Sequence, residues 1–181
     1  MAPIQIYLAG PDVFLPDALD HARAKIAICA RYGLVGHAPA ESAPLPNDDA
    51  WRGIFLADLA MMEACDAIIA NLTPFRGASA DAGTLVELGW FLGRGRKRFG
   101  YSNSALLFPA RSAAQRQAVP DPLPGLAEES FGLADNLMIP GAVEHDSGLP
   151  ITLPPDGLSR PFDALDIFEI CVAQAASALR S

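Results

Sequence analysis

The stretch 71–89, Asn-Leu-Thr-Pro-Phe-Arg-Gly-Ala-Ser-Ala-Asp-Ala-Gly-Thr-Leu-Val-Glu-Leu-Gly, constrains the fold of this chain more than any other. It ends an apolar strand, crosses a loop of small residues and enters a helix. The same alternation runs through the first hundred residues. A buried strand over 5–9 is closed by Gly10-Pro11. An amphipathic helix over 17–32 turns Ala22, Ile26, Cys29 and Ala30 inward and ends at Gly33. A short strand over 34–37 leads into a Pro-rich loop over 38–47, then a helix over about 51–65 capped by Asp48 or Asp49. A strand over 67–71, a helix over about 82–94 and a strand over 98–101 complete the series. Strands alternating with helices predict an α/β fold with a parallel sheet covered on both faces.

Residues 102–162 are less periodic and rich in Pro and Gly, and read as loops with short helical pieces, one near 133–138. The last helix, about 162–179, carries Leu165, Phe168, Val172, Ala175 and Leu179 at helical spacing. The 181 residues suffice for one domain with a sizeable core, and no internal repeat is visible.

Between Asp81 and Arg94 the only charged residue is Glu87. An ionised carboxylate in apolar company is costly to desolvate unless it is paired or used. Glu87 stands at helical spacing from Gly83, Thr84, Trp90 and Phe91, while Leu85, Leu88 and Leu92 lie on another face that suits the core. The alternative is an ordinary exposed Glu on an amphipathic helix. Asp81, at the helix start, suits an N-cap whose second oxygen stays free for a ligand. Asp58 is the only ionisable residue between Arg52 and Glu63, in Ile-Phe-Leu-Ala-Asp-Leu-Ala-Met-Met, and reads either as a site group or as an exposed helix residue. Gly10-Pro11-Asp12 suits a tight turn, either a plain strand ending or one whose backbone faces a ligand. Ligands on open α/β sheets bind beyond the carboxyl ends of the strands. There the segments 7–14, 71–87 and 101–103 converge.

Other chemistries lose support. A net charge of −8 without a basic block argues against polymeric nucleic acid as partner. Cys29, Cys65 and Cys171 form no metal or disulfide pattern and suit buried thiols in a reducing compartment. The start of the chain lacks a basic, signal-like segment, and no apolar run approaches a membrane span, so a cytoplasmic protein is expected. No Gly-x-Gly-x-x-Gly or Walker motif occurs. His21, His37 and His145 lack metal or triad spacing, and Ser79 and Ser102 have no nearby His, which disfavours a Ser-His hydrolase.

With these residues in view the chain resembles the nucleoside 2-deoxyribosyltransferase family. The resemblance rests on Ile6-Tyr7-Leu8-Ala9-Gly10-Pro11-Asp12-Val13-Phe14, on Asp58, and on Asn71 with Pro74-Phe75-Arg76-Gly77. It rests most on Asp81-x-Gly83-Thr84-x-x-Glu87-Leu88-Gly89, and more loosely on Asp135-Asn136-Leu137-Met138. It implies a flavodoxin-like three-layer sandwich around a mostly parallel sheet. It implies Glu87 as nucleophile, Tyr7 hydrogen-bonded to it, and Asp58 and Asp81 near the base. Gly10, Pro11, Asp12, Phe14, Asn71, Phe75, Arg76 and Gly83 would meet substrate. Asn136 and Met138 would reach a neighbouring subunit's site in a homo-oligomer. The substrates would be 2′-deoxynucleosides and free nucleobases, with no metal or redox cofactor. The chain departs from compact members of the family in its longer Pro-rich segment over 101–135 and its tail beyond His145. An N-glycosidase acting on deoxynucleosides or their 5′-monophosphates, with Arg76 on the phosphate, is an alternative outcome of the same residues. A nucleotide-binding sensor is another, although it would not require the nucleophile.

Overall fold

A computed structural model describes residues 2–39, 50–123 and 125–180. Four strands, β1 (Ile4–Ala9), β2 (Leu34–His37), β3 (Ala67–Asn71) and β4 (Lys97–Tyr101), pair in parallel in the order β2-β1-β3-β4. Beyond β4, Tyr101 forms one parallel bridge with Thr152, a fifth position added to the sheet without a full strand. The order with that bridge is the flavodoxin-like one, with a topological switch point between β1 and β3.

The register sets the layers. Ile6 faces Ala67, Leu8 faces Ile69, and Ile69 faces Phe99. Because side chains alternate along a strand, these residues share one face, and Tyr7, Ala9, Ile68 and Ala70 share the other. Helices α1 (Ala18–Arg31) and α6 (Asp166–Ala178) cover the first face. Helices α2 (Ala50–Ala64), α3 (Ala82–Gly93) and α5 (Met138–Ser147) cover the second. Covering on both sides explains why every residue of β3 is buried and why the strand reads as a continuous apolar run.

Local signals set the helix ends. Gly33, at φ +73°, closes α1 and donates its N–H to the Ala30 carbonyl. Asp81 caps α3, its carboxylate accepting the Thr84 N–H at 3.0 Å. The expected caps of α2, Asp48 and Asp49, and the loop residues 40–47 lie outside the described residues.

Four expectations need correction. The inner face of α1 is His21, Ala22, Lys25, Ile28 and Cys29, with Ile26 half-buried against the same core and Ala30 exposed. Its periodicity is regular, but one core position is a lysine, which is rarely buried without a partner. Helix α4 (Phe108–Ala118) is a full helix in a stretch read as loops with short helical pieces, the named one being near 133–138. Its one buried residue is Arg111, so it has no apolar stripe to betray it, and Pro109 in its first turn needs no hydrogen bond there. Residues 133–137 are not helical, and α5 starts at Met138. Asp135 accepts from Ser79 Oγ at 2.6 Å and from the N–H groups of Ala80 and Asn136, bonds that compete with a helix. Helix α6 starts at Asp166 rather than 162, because Asn103 Nδ2 donates to the carbonyls of Pro161, Phe162 and Ala164. Among the described residues no helix is long and apolar enough to cross a membrane.

Candidate active site

Tyr7 lies fully buried near the carboxyl end of β1, stacked on Phe91 of α3 at 6.0 Å. Its hydroxyl donates to Glu87 Oε1 at 2.6 Å. The bond joins the first strand to the isolated carboxylate of α3 across 80 positions of chain. Burial pushes the Glu87 carboxyl up to about 7; the Tyr7 hydrogen bond opposes this, and the like charges of Asp58 and Asp81 add to it. Burial, and then Glu87 itself, hold the Tyr7 phenol far above its ordinary range, so it remains a donor. Glu87 Oε2 has no hydrogen-bond partner among the described residues.

Glu87 opens into a cleft of about 460 Å³ whose walls include Gly10, Phe14, Ile54, Asp58, Asp81, Gly83 and Thr84. Asp58 reaches it from α2, and burial raises its carboxyl pKa. Its Oδ1 is buried and has no hydrogen-bond partner among the described residues. A protonated Asp58 could satisfy that oxygen by donating to a ligand. Asp81 engages Thr84 N and Oγ1 through Oδ2, so its cap role and its place on the cleft wall coexist. At Gly83 a Cβ would come within 3.0 Å of that same Oδ2.

Asp12, Pro11 and Asn71 lie directly beneath. Asp12 is buried, receiving Lys25 Nζ on Oδ2 at 2.8 Å and Asn71 Nδ2 on Oδ1 at 2.9 Å. His21 Nε2 lies 3.2 Å from Oδ1. Burial alone would raise the Asp12 carboxyl, but Lys25 and His21 outweigh it and hold it well below the usual carboxylate range. Lys25 also stands over the Phe168 and Tyr101 rings at 4.8 and 5.5 Å. Asp12 and Asn71 therefore brace the turn from below instead of lining the cleft, and Pro11 is buried with them. They also dictate Gly10, where φ is +156° and a Cβ would lie 2.5 Å from Asp12 Oδ2 and 2.7 Å from Asn71 Cβ.

Phe75 and Arg76 line a second cleft of about 590 Å³ that adjoins the first and shares Phe14 and Asp81 with it. Its loop is held by Arg111, which donates to the carbonyls of Ala78 and Ala134 and to Asp135 Oδ2. Asn136 and Met138 line neither cleft of their own chain. Asn136 donates to Glu129 and accepts the Met138 N–H at 3.2 Å, and Met138 is exposed. Sequence reasoning missed Lys25, His21, Arg111 and Asp135 as supports. For Lys25 a signal existed: it sits at helical spacing from Ala22 and Cys29. Among the described residues no group of three or more His, Cys, Asp or Glu side chains is placed to hold a metal ion.

The fold and the cleft together define an α/β protein with a buried carboxylate at the carboxyl edge of its sheet. The chain belongs to the nucleoside 2-deoxyribosyltransferase family, whose model matches residues 6–138. A 2-desoxiribosyltransferase from Leishmania mexicana is similar over 97% of this chain and 98% of its own, at 28% identity and a TM-score of 0.67. A conserved protein from Enterococcus faecalis V583 shares the fold, with a TM-score of 0.57 and 23% identity over 96% of this chain and 99% of its own. An uncharacterized protein of Schizosaccharomyces pombe is 30% identical over 165 residues, covering 79% of this chain and 78% of the relative.

Proposed function

We propose that this chain is a pentosyltransferase that exchanges the base of 2′-deoxynucleosides through a deoxyribosyl ester on Glu87. The observation that carries this reading is the Tyr7–Glu87 hydrogen bond inside the cleft: it fixes one carboxylate oxygen at 2.6 Å and leaves the other unengaged. The free oxygen attacks C1′ as the bond from C1′ to the base breaks, and the electron pair of that bond leaves with the base. Asp81 or Asp58 supplies the proton the base takes away. A second base attacks C1′ as the bond from C1′ to Glu87 breaks; Glu87 leaves as carboxylate, and the aspartate that gave up its proton takes the one the incoming nitrogen loses. A sugar without a 2′-hydroxyl reaches the cationic transition state more readily. Ribose would be rejected on the cramped floor at Gly10 and Gly83. The three cysteines are buried free thiols, which supports placing this activity in the reducing cytoplasm.

The experiment is incubation with deoxyinosine and free adenine, followed by chromatography. Deoxyadenosine is the expected product. Hypoxanthine released without deoxyadenosine would replace transfer with hydrolysis, and no change in either compound would contradict the reading.

We also propose a second copy of the chain as partner, with Asn136 and Met138 meeting the neighbouring site. Ile54 of α2 lines the cleft, and next to it Trp51, Phe55 and Leu56 are 62%, 54% and 56% exposed, an apolar surface at the cleft rim. Sedimentation at micromolar concentration is expected to show a dimer or larger. A fully active monomer would overturn the shared site.

A further inference from the structure

Asp81 must keep one place to cap α3 and face the cleft, yet the turn that delivers it, Arg76-Gly77-Ala78-Ser79-Ala80, has little with which to pin itself. Four of these five residues are small, so their side chains bury little area while the backbone has much freedom to lose. Arg76, at φ +54°, anchors the start of the turn by standing over the Phe14 and Phe75 rings, 5.1 and 4.7 Å from their centres. The Phe75 N–H donates to the Ser79 carbonyl at 3.1 Å. The second half of the turn is held from outside. The Ala78 carbonyl accepts from Arg111 Nε at 2.7 Å. Ser79 Oγ and the Ala80 N–H donate to Asp135 Oδ1 and Oδ2 at 2.6 and 3.0 Å. The three residues that precede Asp81 are thus tied to one ion pair.

The side chains of Arg111 and Asp135 are 8% and 2% exposed and lie 3.2 Å apart. Arg111 Nη2 also donates to the Ala134 carbonyl at 2.8 Å, and Nη1 donates to the Leu106 carbonyl. Asp135 Oδ1 also accepts the Asn136 N–H at 2.8 Å. Taking two charges out of water costs about as much as their attraction returns, so a buried pair is a poor source of net stability. What this pair does have is a set of directed bonds, and those to 78, 79 and 80 all fall on the turn. Arg111 is the one buried residue of α4. That helix lies inside the segment by which the chain departs from compact members of the family. It brings a guanidinium to the turn instead of an apolar stripe to the core.

We propose that Arg111 and Asp135 are positioning residues that hold Asp81 in place for deoxyribosyl transfer. Neither lines either cleft, and both act through the turn. Asp81 Oδ2 is engaged by Thr84 N and Oγ1, while Oδ1 accepts no hydrogen bond from a described residue. A carboxylate tied at one oxygen aims the other only while its backbone stays in place. Asp81 also faces Glu87 together with Tyr7 of β1 and Asp58 of α2, and its charge opposes ionisation of Glu87. A displaced Asp81 therefore leaves two traces: slower departure of the base and easier ionisation of Glu87.

The inference rests on the deoxyribosyl-transfer reading for its rate effect, whereas the titration of Glu87 needs no turnover. Asp135→Asn and Arg111→Lys, which keeps the charge without the fork, are each compared with Asp81→Asn and combined with it. For exchange between deoxyinosine and adenine, kcat/KM is expected to fall about 10- to 100-fold in each pair variant, the effect of misplacing a reacting group by about an ångström. Combined with Asp81→Asn, neither variant should lower it further, because the loss passes through Asp81. The Glu87 carboxyl is followed by NMR and assigned by the loss of its signal in Glu87→Gln. It should titrate at lower pH in both pair variants, toward its midpoint in Asp81→Asn, with no added shift in the combined variants. Neither Arg111 nor Asp135 is among the groups that shift Glu87 directly, so the titration reports where Asp81 stands. Ser79→Ala removes one bond to Asp135 and no charge. It is expected to show both effects on a smaller scale, and it keeps the test decisive if a variant of the buried pair fails to fold. Normal rates with an unmoved Glu87 titration, or losses that simply add to that of Asp81→Asn, would make the pair a structural support only and overturn the proposal. A Glu87 titration that moves as expected in a protein without base exchange would remove the transfer reading and leave the placement of Asp81 standing.

Discussion

Glu87→Gln is expected to abolish turnover and at the same time to stabilise the protein at pH 8. The amide keeps the shape of the side chain and still accepts the Tyr7 hydroxyl, but it cannot form the ester. The stability gain follows from the buried carboxyl, whose pKa is pushed from an ordinary 4.5 to about 7. A raised carboxyl pKa means that the fold favours the neutral acid. Its stabilising contribution is complete below pH 4.5 and is lost as pH rises through 7. Holding Glu87 ionised at pH 8 then costs on the order of 3 kcal/mol, which glutamine avoids. Thermal unfolding of variant and wild type, compared at each pH, should show the gain at pH 8 and almost none at pH 4. A gain independent of pH, or near-normal rates in the variant, would contradict this account. In the wild type, kcat/KM should climb with pH along a limb centred near 7, because only the ionised carboxylate attacks. Asp58→Asn should move that limb to lower pH by removing a like charge, and Tyr7→Phe should move it higher by removing the hydrogen bond. Protein quenched with deoxyinosine alone should carry a deoxyribosyl mass on the Glu87 peptide.

Asp12→Ala is expected to destabilise the fold by about 3–5 kcal/mol, the usual effect of stranding one member of a buried ion pair. Lys25 is 2% exposed and has no other carboxylate within ion-pair distance among the described residues. The variant leaves a cation under β1 and also frees Asn71, which Asp12 holds at 2.9 Å. Urea unfolding gives the magnitude. Lys25→Met in the Asp12→Ala background should restore much of the loss, because an apolar side chain replaces the stranded charge. A loss below about 1 kcal/mol, with substrate affinity falling instead, would make Asp12 a ligand contact rather than a brace. The carboxyl is held below its ordinary 3.8, so this support is complete above pH 3.8 and is lost as pH falls further.

Most of the first hundred residues were legible because their signals are local. The apolar run of β3, the left-handed Gly33 and the Asp81 cap act within a few positions of themselves, and each element appears where it was read. The isolation of Glu87 among apolar neighbours was equally local, whereas its burial, which makes that isolation costly, came from the packing of α3 on the sheet. The family motif added Tyr7, which no spacing rule would have connected to a residue 80 positions away. After Tyr101 the signals fail. Helix α4 buries an arginine instead of an apolar stripe, and Asp135 answers a loop 55 positions earlier rather than its own neighbours.

The sequence by itself determined the alternation of strand and helix, the caps at Gly33 and Asp81 and the isolation of Glu87 among apolar neighbours, all of which follow from neighbours along the chain. Only the tertiary structure decided that Asp12 pairs with Lys25 and Asn71, and that Arg76 stands above two rings. Those partnerships depend on the parallel register of β1 against β3 and on the packing of α1 beneath it. The register brings the ends of distant segments to one edge of the sheet, where burial makes each of their charges find a partner or face the cleft.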